Sequence, residues 1–211
     1  MRQRSLLIGL FWLTISVFAG LSHLEAQEIR AGSSWLNLSL LKLQAPKSLE
    51  ERQYLGLKHQ TSFSLAQLPA KLILIECLNL YCPSCHEQAT VVSNLHELIQ
   101  EDAKLREDIK VIGICAGNNF HETLVYKNDL LIKFPLFADP DFVVHEKFGS
   151  PRTPFTLLLN GRGEVLFIRY GIVRKLDDFF CTLRQFYERE CHNDSPKKIC
   201  VKQNCLTLRP Q

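Results

Sequence analysis

Two cysteines stand in the run Cys82-Pro83-Ser84-Cys85. Thiols at this C-x-x-C spacing can close a small disulfide and reopen it by exchange, a thiolate attacking a disulfide sulfur. The apolar run Leu72-Ile73-Leu74-Ile75-Glu76-Cys77-Leu78 leads into the pair, and a long helical pattern begins at Pro83. A thiol at such a strand-to-helix junction lies beside unpaired N–H groups and the positive end of the helix dipole. There its pKa falls from about 8.5 toward 3.5–7.5. Cys82 is therefore the expected attacking thiolate, and Cys85, one turn further in, the shielded resolving thiol. Pro83 suits the first helical turn, where it has no N–H to leave unpaired and its φ is already helical. An inert structural bridge is the bland alternative. The exchange itself needs no cofactor. Glu76 is a charged residue inside an apolar strand; burial raises a carboxyl pKa toward neutrality, where proton transfer is efficient. The competing reading of Glu76 is an edge-facing glutamate in a salt bridge.

Several elements must position these groups. Residues 71–78 and 110–115 are nearly continuous apolar runs, as strands buried on both faces should be. Residues 84–106 carry Ala89, Val92, Leu95, Leu98, Ile99 and Leu105 at helical spacing, with Glu97, Glu101, Lys104 and Arg106 on other faces. The pattern predicts a helix over 121–131, a short strand over 134–138 and a short helix over 142–148 closed by Gly149. Strand, helix, strand, helix, strand in this order implies parallel pairing with right-handed crossovers. Residues 155–159 and 164–168, joined by Asn160-Gly161-Arg162-Gly163, read as an antiparallel hairpin, and 174–189 as a last amphipathic helix. Upstream, residues 35–40 alternate like a strand, with an amphipathic lead-in as the equal alternative. Residues 44–60 are polar, carry Pro46 and read as a surface excursion, and 61–64 read as a short strand running into a one-turn helix at 65–68.

Taken in order, these pieces resemble a thioredoxin-fold protein of the exported TlpA/ResA type over roughly residues 61–188. Four elements carry the resemblance: Leu80-Tyr81-Cys82-Pro83-Ser84-Cys85 after a buried strand; Glu76, six residues before Cys82; Phe134-Pro135-Leu136-Phe137-Ala138-Asp139-Pro140-Asp141; and Arg152-Thr153-Pro154-Phe155 ahead of the hairpin. The resemblance implies an α/β thioredoxin-like fold, a central mixed β-sheet flanked by helices on both faces. It implies that Glu76 accepts the Cys85 proton and that Pro154 follows a cis bond. A cis Thr153–Pro154 bond would expose the Thr153 backbone to an extended partner segment. Tyr81, Pro83, Ser84, Thr153 and Pro154 are then the expected substrate-binding residues. Tyr81 departs from the family's usual Trp. The partners implied are protein thiols and disulfides, apocytochrome cysteines among them, with a membrane electron donor that recharges a reductase. A disulfide-forming oxidase is the alternative direction.

Three rival chemistries use the same residues. Cys82-Pro83-Ser84-Cys85-His86 satisfies C-x-x-C-H, the attachment motif of c-type haem. Against it, the one Met of the chain is Met1, so a second His would have to be the sixth ligand. A Sco-like copper carrier would bind Cu(I) through Cys82 and Cys85 with a distant His such as His145, but that family usually spaces its cysteines one residue wider. Peroxiredoxins carry Thr three residues before the reactive Cys, where this chain has Asn79.

The 211 residues suffice for one domain with a sizeable core. A net charge of +3, spread along the chain, indicates no nucleic-acid surface. Arg2 and Arg4 precede 16 uncharged residues, 6–21, and then a more polar segment. This is the order of a secretory signal, cleaved after Ala26 or Ser22. The rival is an uncleaved anchor that tethers the protein to the membrane, slightly short of the roughly 18–20 residues of a span. Export to a periplasmic or other extracytoplasmic space is expected, and it permits structural disulfides. The expected organisation is a signal peptide at 1–26, an N-terminal extension at 27–60, a thioredoxin-like domain at 61–189 and a Cys-containing tail at 190–211. Of the eight cysteines, Cys77 and Cys115 fall in apolar strands and read as buried free thiols. Cys181, Cys191, Cys200 and Cys205 leave several pairings open; a disulfide stapling the tail to itself or to Cys181 is favoured over a zinc site made by Cys191, His192, Cys200 and Cys205.

Overall fold

The computed structural model describes residues 29–32 and 34–194. The expected signal segment and Cys200 and Cys205 of the tail lie outside the described residues. Seven strands and six α-helices are placed among those described: β1 (Lys42–Gln44), α1 (Leu49–Tyr54), β2 (Ser62–Ser64), β3 (Leu72–Leu78), α2 (Pro83–Glu101), α3 (Leu105–Asp108), β4 (Ile109–Ala116), α4 (Phe120–Asp129), β5 (Leu136–Asp139), α5 (Val143–Lys147), β6 (Phe155–Asn160), β7 (Val165–Tyr170) and α6 (Leu176–Asp194).

A five-stranded sheet has the order β5-β4-β3-β6-β7. β3 pairs in parallel with β4, and β4 with β5, while β6 and β7 run antiparallel. β3 and β4 are buried at every residue, as their unbroken apolar runs require of central strands covered on both sides. Alternation along β3 divides the core. Leu72, Leu74 and Leu78 face the layer of α2 and α6, with Cys85, Ala89, Val92, Leu95, Phe179, Phe180 and Leu183. Ile73, Ile75 and Cys77 face the opposite layer, with Val144 and Phe148 of α5 and its flank. The fold is therefore a mixed sheet with helices on both faces, as the resemblance implies.

The second layer owes much to residues before 61. Leu38, Leu41, Leu43, Leu55 and Leu57 are buried in one cluster with Ile73, Ile75, Ile112 and Ile114, and β1 pairs with β2 in a small antiparallel sheet. The expected polar excursion at 44–60 instead contains α1. Its N-cap is Ser48, whose hydroxyl accepts from Glu51 N. At the end of α1 the Tyr54 hydroxyl accepts from Val111 N at 2.6 Å and donates to Val111 O. β5 pairs with β4 only from Gly113 onward, so one tyrosine hydroxyl completes the ladder where the edge strand is missing. The strand expected at 35–40 is a single bridge, Trp35 to Glu164, followed by a 3-10 turn at Leu38–Leu40. The last helix continues to Asp194 rather than stopping at 189.

Two further details position elements around the sheet. Gly113 lies where β5 begins, and a Cβ there would run into the Leu136 and Phe134 side chains. The helix expected over 84–106 is two. Asp102 ends α2, and its Oδ1 accepts from Lys104 N and Leu105 N to start α3.

Candidate active site

Cys82 is the N-cap of α2, in extended conformation, with Pro83 at the first helical position. The loop carrying it is pinned to β4. Asn79 donates its amide to Ala116 O at 2.7 Å and accepts from Tyr81 N at 2.7 Å, and Asn118 accepts from Leu80 N. Asn79, in the place of the peroxiredoxin Thr, thus serves the loop. Tyr81 is exposed, and its hydroxyl donates to Glu122 at 2.7 Å. Glu122 also closes a capping box with Asn119 at the start of α4.

The two thiols differ sharply. Cys85 is fully buried, whereas Cys82 is half-buried. Cys82 Sγ lies 3.2 Å from Ser84 Oγ and 3.6 Å from Thr153 O. Partial burial pushes the Cys82 thiol up. Hydrogen bonds from the Cys85 thiol, the Ser84 hydroxyl and the Cys85 amide outweigh that and leave its pKa lowered. Burial first, and donation to Cys82 with it, push the Cys85 thiol up to about 12. One sulfur is held ready to ionise and the other is kept protonated behind it.

The Thr153–Pro154 peptide bond is cis. Pro154 is buried, and the Thr153 carbonyl faces the Cys82 sulfur. Immediately after it, Thr156 of β6 reaches Glu76, its register partner on β3. Glu76 is fully buried, not edge-facing, and lies on the α2 side of the sheet. Its Oε2 accepts from Thr156 Oγ1 at 2.7 Å and from Gln88 Nε2 at 3.2 Å. Loss of water drives its pKa up to about 8, against the opposing effect of these two hydrogen bonds. The structure thus brings together Cys82, Cys85, Glu76, Tyr81, Pro83, Ser84, Thr153 and Pro154.

Two members of this cluster, Gln88 and Thr156, are not evident from residue type. Gln88 does carry a signal, since it shares the helical stripe of Cys85, Ala89, Val92 and Leu95, where a polar side chain needs a buried partner. Thr156 offers none, because a threonine in a strand is ordinary.

The residues of the rival readings are arranged for other purposes. His86 Nε2 bonds Leu80 O at 2.7 Å, and its ring packs on Tyr126. Cys85 has no exposed surface through which a haem vinyl could be joined. His145, buried, bonds Pro151 O through Nε2. Among the described residues no group of three or more His, Cys, Asp or Glu could hold a metal ion. Cys77 and Cys115 are fully buried on opposite faces of the sheet. Cys191 lies on α6 with its Sγ 3.7 Å from Lys71 Nζ.

Residues 44–176 match the AhpC/TSA family. No curated protein sequence matches the chain. Solved structures do. One is a secreted Mycobacterium tuberculosis disulfide oxidoreductase homologous to E. coli DsbE, 15% identical, with 59% of this chain and 89% of that one covered and a TM-score of 0.50. Another is MTB dsbF in its mixed oxidised and reduced forms, 17% identical, with 71% and 98% covered and a TM-score of 0.53. At these identities the likeness is one of fold.

Proposed function

The chain belongs to the AhpC/TSA family and has a thioredoxin-like fold, and from that premise we propose that it is an exported thiol–disulfide oxidoreductase acting on protein substrates, with reduction as its principal direction. The observation that carries this reading is the asymmetry of the two thiols at the start of α2: Cys82 half-buried with Ser84 Oγ at 3.2 Å and Thr153 O at 3.6 Å from its sulfur, and Cys85 fully buried behind it.

In the reducing direction the Cys82 thiolate attacks one sulfur of a substrate disulfide. A Cys82–substrate bond forms as the substrate S–S bond breaks, and the leaving thiolate takes a proton from water. Cys85 then loses its proton to Glu76 and attacks Cys82 Sγ. The Cys82–Cys85 bond forms, the second substrate sulfur leaves and is protonated, and two electrons have passed from the pair to the substrate. Run backwards, protonated Glu76 returns the proton to Cys85 as that sulfur leaves. An extended substrate segment would pair with the Thr153 backbone, flanked by exposed Tyr81 and Pro83. A membrane electron donor would restore the dithiol.

Export rests on the order of charges and apolar residues over 1–26 and agrees with the secreted character of one structural neighbour. No helix among the described residues is long and apolar enough to cross a membrane.

The test is the Cys85→Ser chain, which cannot resolve a mixed disulfide. It is expected to capture substrates covalently at Cys82 in the exported fraction, reversibly with dithiothreitol. Recovery of no adducts would defeat the proposal of protein substrates. The potential of the native pair decides direction: near about −270 mV it is a reductase, near about −120 mV an oxidase.

A further inference from the structure

Glu76 has two oxygens in different situations. Oε2 accepts both of the carboxyl group's side-chain hydrogen bonds, whereas Oε1, equally buried, has no partner among the described residues. The directions of these bonds are forced. Gln88 Oε1 accepts from Val173 N at 2.9 Å, so its amide can present only N–H donors to the other side. Those donors reach Glu76 Oε2 at 3.2 Å and Thr156 Oγ1 at 3.3 Å. The Thr156 hydroxyl, accepting from Gln88, directs its own hydrogen to Glu76 Oε2 at 2.7 Å. Both side-chain donors to the carboxyl group therefore converge on one oxygen. Gln88 is itself fully buried, three residues beyond Cys85 on the same helix.

We infer that Gln88, acting with Thr156, is a positioning residue for proton transfer: the pair clamps Oε2 and leaves Oε1 as the oxygen that takes and returns the Cys85 proton through an intervening water. This rests on the reading that Glu76 exchanges that proton. The clamp also sets the pH at which Glu76 works, because both bonds favour the ionised carboxylate against its burial. The other titratable groups around Glu76 are Cys85 of α2, Tyr126 of α4 and Cys77 of β3, and burial raises the pKa of each. Gln88 also ties the carboxyl to the backbone at Val173, in the turn between β7 and α6, so three segments besides β3 hold it in place.

The test follows oxidation of the reduced full chain by glutathione disulfide from pH 6 to 9.5, with the Glu76 carboxyl titrated in parallel by carbon-13 NMR. Gln88→Met keeps the shape and removes the donors, and Thr156→Val removes the second donor. Each is expected to move the Glu76 midpoint upward from about 8. A rise of about one pH unit corresponds to a roughly tenfold loss of the Glu76-dependent rate at pH 7. In a Glu76→Gln chain, Gln88→Met is expected to leave the pH profile unmoved, which a general loss of packing would not do. If Glu76→Gln abolishes the pH-dependent limb and both clamp variants keep the wild-type midpoint, the inference is overturned while Glu76 keeps its role. If Glu76→Gln leaves the limb in place, the reading of Glu76 itself fails, and the inference with it.

Discussion

A sulfur becomes a nucleophile at neutral pH only where something stabilises its negative charge, and the two sulfurs of this site differ in what surrounds them. The Ser84 hydroxyl, the Cys85 thiol and the Cys85 amide are all placed to donate to Cys82, whereas Cys85 is enclosed by Leu74, Ala89 and the rest of the α2 layer. The consequence can be read by alkylation. Brief treatment of the reduced protein with iodoacetamide at pH 7 is expected to label Cys82 at least tenfold faster than Cys85, because the thiolate is the reacting species. Peptide mass mapping separates the two. Equal labelling, or labelling of Cys85 first, would contradict the assignment of nucleophile and resolving thiol. Ser84→Ala removes one donor and is expected to slow the labelling of Cys82 several-fold at this pH while leaving Cys85 unreactive.

Among the elements, α1 has the least obvious task. Its Tyr54 hydroxyl stands in for a strand by bonding both backbone groups of Val111, and its ring meets His96 edge-on and receives the Lys110 ammonium at 5.0 Å. Tyr54→Phe keeps the ring and leaves the Val111 N–H unpaired, a change that costs about 1–3 kcal/mol. Urea denaturation is expected to show that loss, and hydrogen exchange to show Val111 losing protection; unchanged protection would mean that the hydroxyl does not complete the ladder. This contact also marks where sequence reasoning ran out. The buried strands, the hairpin and the cysteine pair were legible because each is written in local pattern: an unbroken apolar run, a glycine-bearing turn, a C-x-x-C at a junction. Thr153-Pro154 was legible through resemblance. The contribution of residues before 61 was not, since Leu38, Leu41, Leu43, Leu55 and Leu57 are spaced irregularly among polar residues and share a face only after the chain has turned several times. Tyr54 and Thr156 act on partners 57 and 80 residues away, a separation that no local pattern encodes. Gln88 lies between these cases, visible as a polar residue on an apolar stripe yet silent as to its partner.

For the whole molecule, burial of titratable groups makes stability depend on pH, and two of them act in opposite directions. Glu76 titrates near 8 in the folded chain against an ordinary value of 4.5. Between those values the folded state holds a proton that the unfolded state has lost, so its contribution is full below 4.5, falls as pH rises and is gone above 8. His96 is the reverse. Burial first, then the Lys127 and Lys110 charges, depress it to about 4 from 6.5; the unfolded state binds the extra proton in that window, so this contribution is full above 6.5 and is lost as pH falls to 4. From 4.5 to 6.5 the two slopes nearly cancel. Above 6.5 Glu76 acts alone, and stability is expected to fall by about 1.4 kcal/mol per pH unit, or about 2 kcal/mol between pH 6.5 and 8. Urea denaturation at half-unit intervals tests this in a Cys82→Ser chain, where thiolate formation at residue 82 does not contribute. Glu76→Gln is expected to abolish the fall above 6.5 and to uncover a rise with pH between 4.5 and 6.5. His96→Gln is expected to uncover a decline in that same interval. If the two variants keep the parent's profile, neither side chain is buried in the state that the reduced protein adopts. If only Glu76→Gln changes it, the carboxyl beneath the cysteine pair is the group through which the site adjusts the stability of the whole fold.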